Sequence, residues 1–174
     1  MIEQRVRQLQ VLVFALILGA LPFVLIVVWF VVQNQHQPPG DLEVLRYMAW
    51  GFFVVMVIAS NYVPSLIARQ QVRQIANGTW KLSNPLYVNS EWLSTDEGKL
   101  LQVFFSQTLI RVALIEAPAM LGCVAALVLK QYETLIIAGL GVGLMILGMP
   151  LVPRVRDWID QHLAQLEELR AHSV

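Results

Sequence analysis

The sequence predicts an all-α, polytopic membrane protein with four transmembrane helices arranged as two hairpins. Three observations carry that expectation. Of the 174 residues, 57% are hydrophobic and 14% charged, whereas a soluble domain has roughly 45–50% apolar and about 25% charged residues. Four apolar stretches reach or approach the ~20 residues that cross a hydrocarbon core of about 30 Å. The alternating pattern of a membrane β-barrel does not occur and four strands could not close one, so each segment must satisfy its backbone hydrogen bonds internally, as helix. The same composition excludes three other classes. Twelve basic residues against twelve acidic ones do not make a nucleic-acid binder, a single cysteine makes no disulfide scaffold, and so apolar a chain is not disordered.

The first span covers residues 11–32, with no charge in 22 residues. Arg5 and Arg7 ahead of it would suit a secretory signal peptide. The apolar run is longer than the core of such a peptide, and Gln33-Asn34-Gln35-His36 stands where a small-x-small cleavage site would be, so the helix is expected to be retained. The second span, 47–68, is also uncharged, and the third, 109–129, holds Arg111 and Glu116. The fourth, 135–152, is 18 residues without charge. Pro22, Pro64, Pro118 and Pro150 each remove one backbone bond and predict a local kink. In the fourth span Gly139 and Gly143 form a small-xxx-small pair that invites close approach of another backbone, by default one from the same chain.

Residues 1–152 thus form a transmembrane domain with a connection, 69–108, between its hairpins. Turn signals fall at Asn77-Gly78 and Asn84-Pro85, and residues 86–88 suit a short extended piece. Ser94-Thr95-Asp96-Glu97 reads as a helix start, with Ser94 or Thr95 as N-cap, running on into the third span. Residues 153–174 predict an amphipathic helical tail with Pro153 in its first turn. Val155, Trp158, Ile159, His162, Leu166 and Leu169 share one face, opposite Asp157, Asp160, Gln161, Glu167 and Glu168. That apolar face is expected to pack on the chain's own connection. Short echoes between the halves hint at a parallel internal repeat. Ala15-Leu16-Ile17 recurs as Ala113-Leu114-Ile115, each ahead of a proline, and Val63-Pro64 recurs as Val152-Pro153.

Lysine and arginine in the flanks set the orientation. Nine lie in the N-terminus, the 69–108 connection and the tail, against Arg46 and Lys130 on the other side. Both termini are therefore expected in the cytoplasm of a bacterial inner membrane.

Glu116 is the one expensive group. It lies seven residues inside the third span, about 10 Å deep at 1.5 Å per residue. A carboxylate there costs several kcal/mol unless paired, hydrated or protonated. Arg111 is five residues away, off the i,i+3 and i,i+4 contacts, and near enough to the boundary to snorkel. Asn61 sits seven residues from its own span's end, at the matching depth. A Glu116–Asn61 hydrogen bond between helices is therefore expected, with Tyr62 as a second contact.

Two resemblances attach to this region. Leu114-Ile115-Glu116-Ala117 and the stretch from Gly122 to Leu129 look like the carboxylate helix of the rotary ATP synthase ring subunit. That likeness covers one helix. The ring subunit's other helix is glycine-rich, residues 11–32 contain one glycine, and the ring's function is not carried over. The longer stretch Asp96-Glu97-Gly98-Lys99-Leu100-Leu101, Gln107-Thr108, Ala113-Leu114-Ile115-Glu116 and Ala119 resembles a group of uncharacterised four-helix bacterial membrane proteins. It covers about 35 residues, implies the four-helix fold and carries no activity.

Nucleophile motifs, phosphate loops, dinucleotide fingerprints and metal-ligand spacings are missing from the sequence. His36, His162 and His172 fall in separate regions, and Cys123 lies deep in a span. The expectation is a non-enzymatic structural or interaction protein without cofactor or metal, embedded in lipid. Its partners would be copies of itself or another membrane protein. The alternative is a proton- or cation-coupled carrier using Glu116.

Overall fold

A computed structural model of the chain describes residues 2–33, 43–81 and 91–171. Among them are five α-helices: α1 (Ile2–Gln33), α2 (Glu43–Ala76), α3 (Asp96–Leu129), α4 (Glu133–Leu147) and α5 (Val152–Ala171), with a 3-10 turn at Glu91–Ser94. The Asn84-Pro85 turn and the extended piece at 86–88 lie outside the described residues, as do His36 and His172.

The fold is all-α, and among the described residues three helices, α1 to α3, are long and apolar enough to cross a membrane. Each outruns the span read from hydropathy. α1 begins at Ile2, α2 continues to Ala76 and α3 begins at Asp96. Charges mark where lipid-compatible sequence stops, and a helix need not stop there. The α3 start follows the capping logic, because the Thr95 hydroxyl accepts a 3.2 Å hydrogen bond from the Gly98 N–H. Pro22, Pro64 and Pro118 lie inside helices.

The fourth helix corrects the expected 135–152 span. α4 has 15 residues and ends at Leu147, too short to cross a membrane by itself, and it reaches that length only if it is taken together with α5 across the intervening break. Pro150 is the reason. It has no N–H to give to the Ile146 carbonyl, and it disfavours helical backbone at Met149. Between α3 and α4 the turn is made by Lys130 at φ 54°, the left-handed conformation that closes a helix.

The chain divides into two compact units. One comprises Gln10–Tyr62 and Ile110–Met149, the other Met1–Leu9, Val63–Leu109 and Pro150–Val174. The tail is therefore no unit of its own. It belongs with segments of α1, α2 and α3.

In the apolar unit α3 is the central element. Half of its most apolar stretch (50%) is buried within the chain, against 22% for α1 and for α2. Cys123 and Ala126 pack with Val27 and Val31 of α1 and Ala138 of α4. Ala125 and Leu129 pack with Ala49 and Phe53 of α2 and Ile137 of α4. Small side chains make this possible, since they let backbones approach closely. A Cβ on Gly141 would fall 2.6 Å from the Ala119 Cβ, and one on Gly122 would fall 2.9 Å from the Thr134 carbonyl oxygen. Gly139 and Gly143, expected to be the packing pair, have nothing within 4 Å of a Cβ. Each is two residues from Gly141, so each points to the opposite side of a helix that turns about 100° per residue. At the far end of this unit Arg46 of α2 reaches Glu133 of α4 at 3.3 Å.

The other unit has its own core. Val6, Ala68, Val72, Ile75, Leu100 and Val103 close around Val155, Ile159 and Leu166 of α5. The tail's apolar face is thus buried on α1, α2 and α3, while its acidic face is exposed. Trp158 stands edge-on to Phe104 at 5.3 Å and stacks on His162 at 3.8 Å. Asp96, thirteen residues before the apolar stretch of α3, binds Arg170 through two hydrogen bonds of 2.7 and 3.2 Å. An acid opening α3 and a base closing α5 also suit the two helix dipoles. The Arg170 hydrogen bond holds the Asp96 carboxyl below its ordinary range, and raises Arg170 in turn.

Two outcomes follow from this packing. Gly141→Ala should melt below Gly139→Ala in detergent. Alanine gains about 1 kcal/mol of helix propensity at either site, but at Gly141 overpacking costs about 1–3 kcal/mol. The second concerns Asp96. Because its folded pKa is depressed, the ion pair's contribution is complete above the ordinary carboxylate pKa of about 4 and is lost as pH falls through the lower folded value. Wild type should exceed Asp96→Asn by about 0.5–1 kcal/mol at neutral pH, and the gap should close in acid, as read by unfolding titrations across pH.

Candidate functional site

The polar side chains that the sequence singles out in the apolar unit are Asn61 of α2 and Arg111 and Glu116 of α3. On α2, Pro64 lacks the N–H that would bond the Ser60 carbonyl. One turn earlier, the Val57 carbonyl accepts both the Ser60 hydroxyl at 2.8 Å and the Asn61 side-chain amide at 2.8 Å. Ser60 is buried, whereas Asn61 is exposed and Tyr62 is 67% exposed. These residues hold the Asn61 amide in one orientation, nitrogen turned back to its own helix and oxygen outward.

That oxygen meets Arg111. The Arg111 Nη2 donates to the Asn61 Oδ1 at 3.4 Å, joining α2 to α3. The expected Glu116–Asn61 hydrogen bond is not formed. Matching depth fixes Asn61 along its helix but not around it. Arg111 and Glu116 are five residues apart, about 140° around α3, so the α2 side chain that meets one is turned from the other. Arg111 therefore has a protein partner, not merely a route to the membrane boundary.

Glu116 is partly buried, flanked by buried Ile115 and by the Pro118–Ala119 turn that packs on Gly141. Among the described residues it has no hydrogen bond or ion pair. Pro118 adds a local feature, since it leaves the Leu114 carbonyl without its usual helical donor. A carboxyl group thus stands in the turn where the backbone ladder of α3 is interrupted. Chemically it can exchange a proton or attract a cation. Among the described residues there is no group of three histidines, cysteines or acids placed to hold a metal ion.

Two contacts in the apolar unit have little signal in the sequence. One is the pair of close approaches at Gly122 and Gly141. The four-residue spacing of Gly139 and Gly143 drew attention to one helix, while the actual notch takes one glycine from each of two. The other is Arg46–Glu133, whose partners are 87 positions apart and carry no local signal beyond opposite charge.

Comparison with family models, with curated proteins and with solved structures finds no match.

The Arg111–Asn61 contact is testable by a double-mutant cycle. Asn61→Ala and Arg111→Ala should couple by about 0.6 kcal/mol, a usual value for a polar contact between membrane helices. Asn61→Ala with Glu116→Gln should show additive effects on unfolding in bilayer-mimetic detergent.

Proposed function

We propose that this chain is a multi-pass protein of the bacterial inner membrane, with both termini and the 69–108 connection facing the cytoplasm, acting as a non-enzymatic interaction subunit of a membrane assembly. The observation that carries this reading is the asymmetry of burial. α3 is half covered by its neighbours, while α1 and α2 keep broad apolar faces open. Phe14, Leu25, Ile26 and Trp29 of α1 and Val55 and Leu66 of α2 are all exposed. Such faces suit lipid and the helices of other subunits alike. The imbalance of nine cationic residues against two supports the orientation.

A second reading rests on Glu116. A partly buried carboxyl group in a helix of this hydropathy, with no side-chain partner among the described residues, also suits a proton- or cation-coupled carrier. Vesicles reconstituted with this chain alone separate the two. For an interaction subunit, an imposed proton or sodium gradient should decay no faster than in empty vesicles, and Glu116→Gln should leave that decay and the circular dichroism unchanged. A flux present in wild type and abolished in a folded Glu116→Gln variant would replace the interaction reading with the carrier.

A further inference from the structure

The first turns of α5 line an open cavity of about 380 Å³, formed by Leu151, Pro153, Arg154, Asp157, Trp158 and Gln161. Its lining includes a cation, an anion, an amide and an indole. Arg154 and Asp157 are three residues apart, so they are neighbours one turn on, with Cβ atoms about 5–6 Å apart. Among the described residues neither has an ion pair, with the other or with any third group. Of the lining residues, Trp158 is held between Phe104 and His162. Leu151, one of the lining residues, is 57% exposed, and in the sequence the chain enters this helix four residues after Leu147, the end of the apolar α4.

We propose that this cavity binds the headgroup of a zwitterionic aminophospholipid, a phosphate diester whose short chain ends in a primary ammonium. This inference rests on the membrane-spanning reading given above. Arg154 matches the phosphate through charge-assisted N–H bonds. Asp157 accepts N–H bonds from the ammonium, which a trimethylated headgroup has no hydrogen to donate. The two-carbon link between phosphate and amine spans a separation comparable to one helical turn. Leu151 and Pro153 face the glycerol and first acyl carbons, and Gln161 supplies a further donor. A purely anionic headgroup is disfavoured, because Asp157 stands beside the phosphate seat and Asp160 follows one turn away from the lipid end.

The test uses the full chain in nanodiscs of equimolar phosphatidylethanolamine, phosphatidylcholine and phosphatidylglycerol with matched acyl chains, followed by native mass spectrometry of the released protein. Phosphatidylethanolamine should be retained about tenfold over phosphatidylcholine, which is the contribution of one hydrogen bond to a charged group. Asp157→Asn should bring phosphatidylethanolamine down to the phosphatidylcholine level, and Arg154→Gln should lower all three. Asp160→Asn, outside the cavity, should change nothing. Equal retention of phosphatidylethanolamine and phosphatidylcholine by wild type would overturn the inference. So would a phosphatidylglycerol preference, or an Asp157→Asn variant that behaves as wild type. A chain recovered without any disc would remove the membrane-spanning reading itself, an outcome distinct from these.

Discussion

The apolar unit depends on how small the side chains of α3 are. Ala119, Gly122, Cys123, Ala125 and Ala126 occupy five inward positions in its later turns, and three other helices lean on them. In lipid there is no water to expel between helices, so association rests on van der Waals contact and on the few polar bonds available. Contact of that kind falls off steeply with distance. Replacing a methyl by an isobutyl group on this face would part the backbones and lose the dispersion energy that holds α4, whose 15 residues offer little else. The same closeness explains the few interhelical side-chain bonds. Among the described residues, Arg46 reaches across to Glu133 and Arg111 to Asn61.

Much of the architecture was readable because lipid imposes so few solutions. Uncharged runs of about 20 residues leave little choice but helix, and the amphipathic period of 153–174 picked out Val155, Ile159 and Leu166 as the buried residues of α5. Helix ends were less readable. Hydropathy changes where the solvent changes, and α2 and α3 carry on past that point because Val72, Ile75, Leu100 and Val103 have a second core to enter. The α4 end was lost to the opposite error, an apolar composition that continued through Pro150 after the helix had stopped. The site was the least readable part. Depth along a helix follows from counting, but azimuth between two helices depends on side-chain volumes along the whole contact, and it decided that Asn61 meets Arg111 instead of Glu116.

The two units use charge in contrasting ways. In one, Asp96, Lys99 and Arg170 form a cluster whose members close the ends of two helices, and Arg156 pairs with Glu3. In the other, ionisable groups are sparse enough that each has an individual role. Arg46 and Glu133 join α2 to α4, Arg111 is tied to Asn61, and Glu116 stands apart from both. This separation makes Glu116→Gln an informative change, because it removes an ionisable group without breaking a contact that other residues share.

The shortness of α4 has a consequence for the surroundings as well as for the protein. Fifteen residues rise about 22 Å, whereas the hydrocarbon core is about 30 Å thick. α1, α2 and α3, at 32 to 34 residues, have no such deficit. A bilayer thins beside a helix too short to cross it, at a fraction of a kcal/mol per ångström. The deficit at α4, about 8 Å, is what the residues after Leu147 would have to make up if α4 and α5 form one broken span. A broken span puts unpaired backbone groups at its break, which lipid tolerates only where protein or water can satisfy them. The length of one helix thus bears on how wet the surroundings of residues 148–151 have to be.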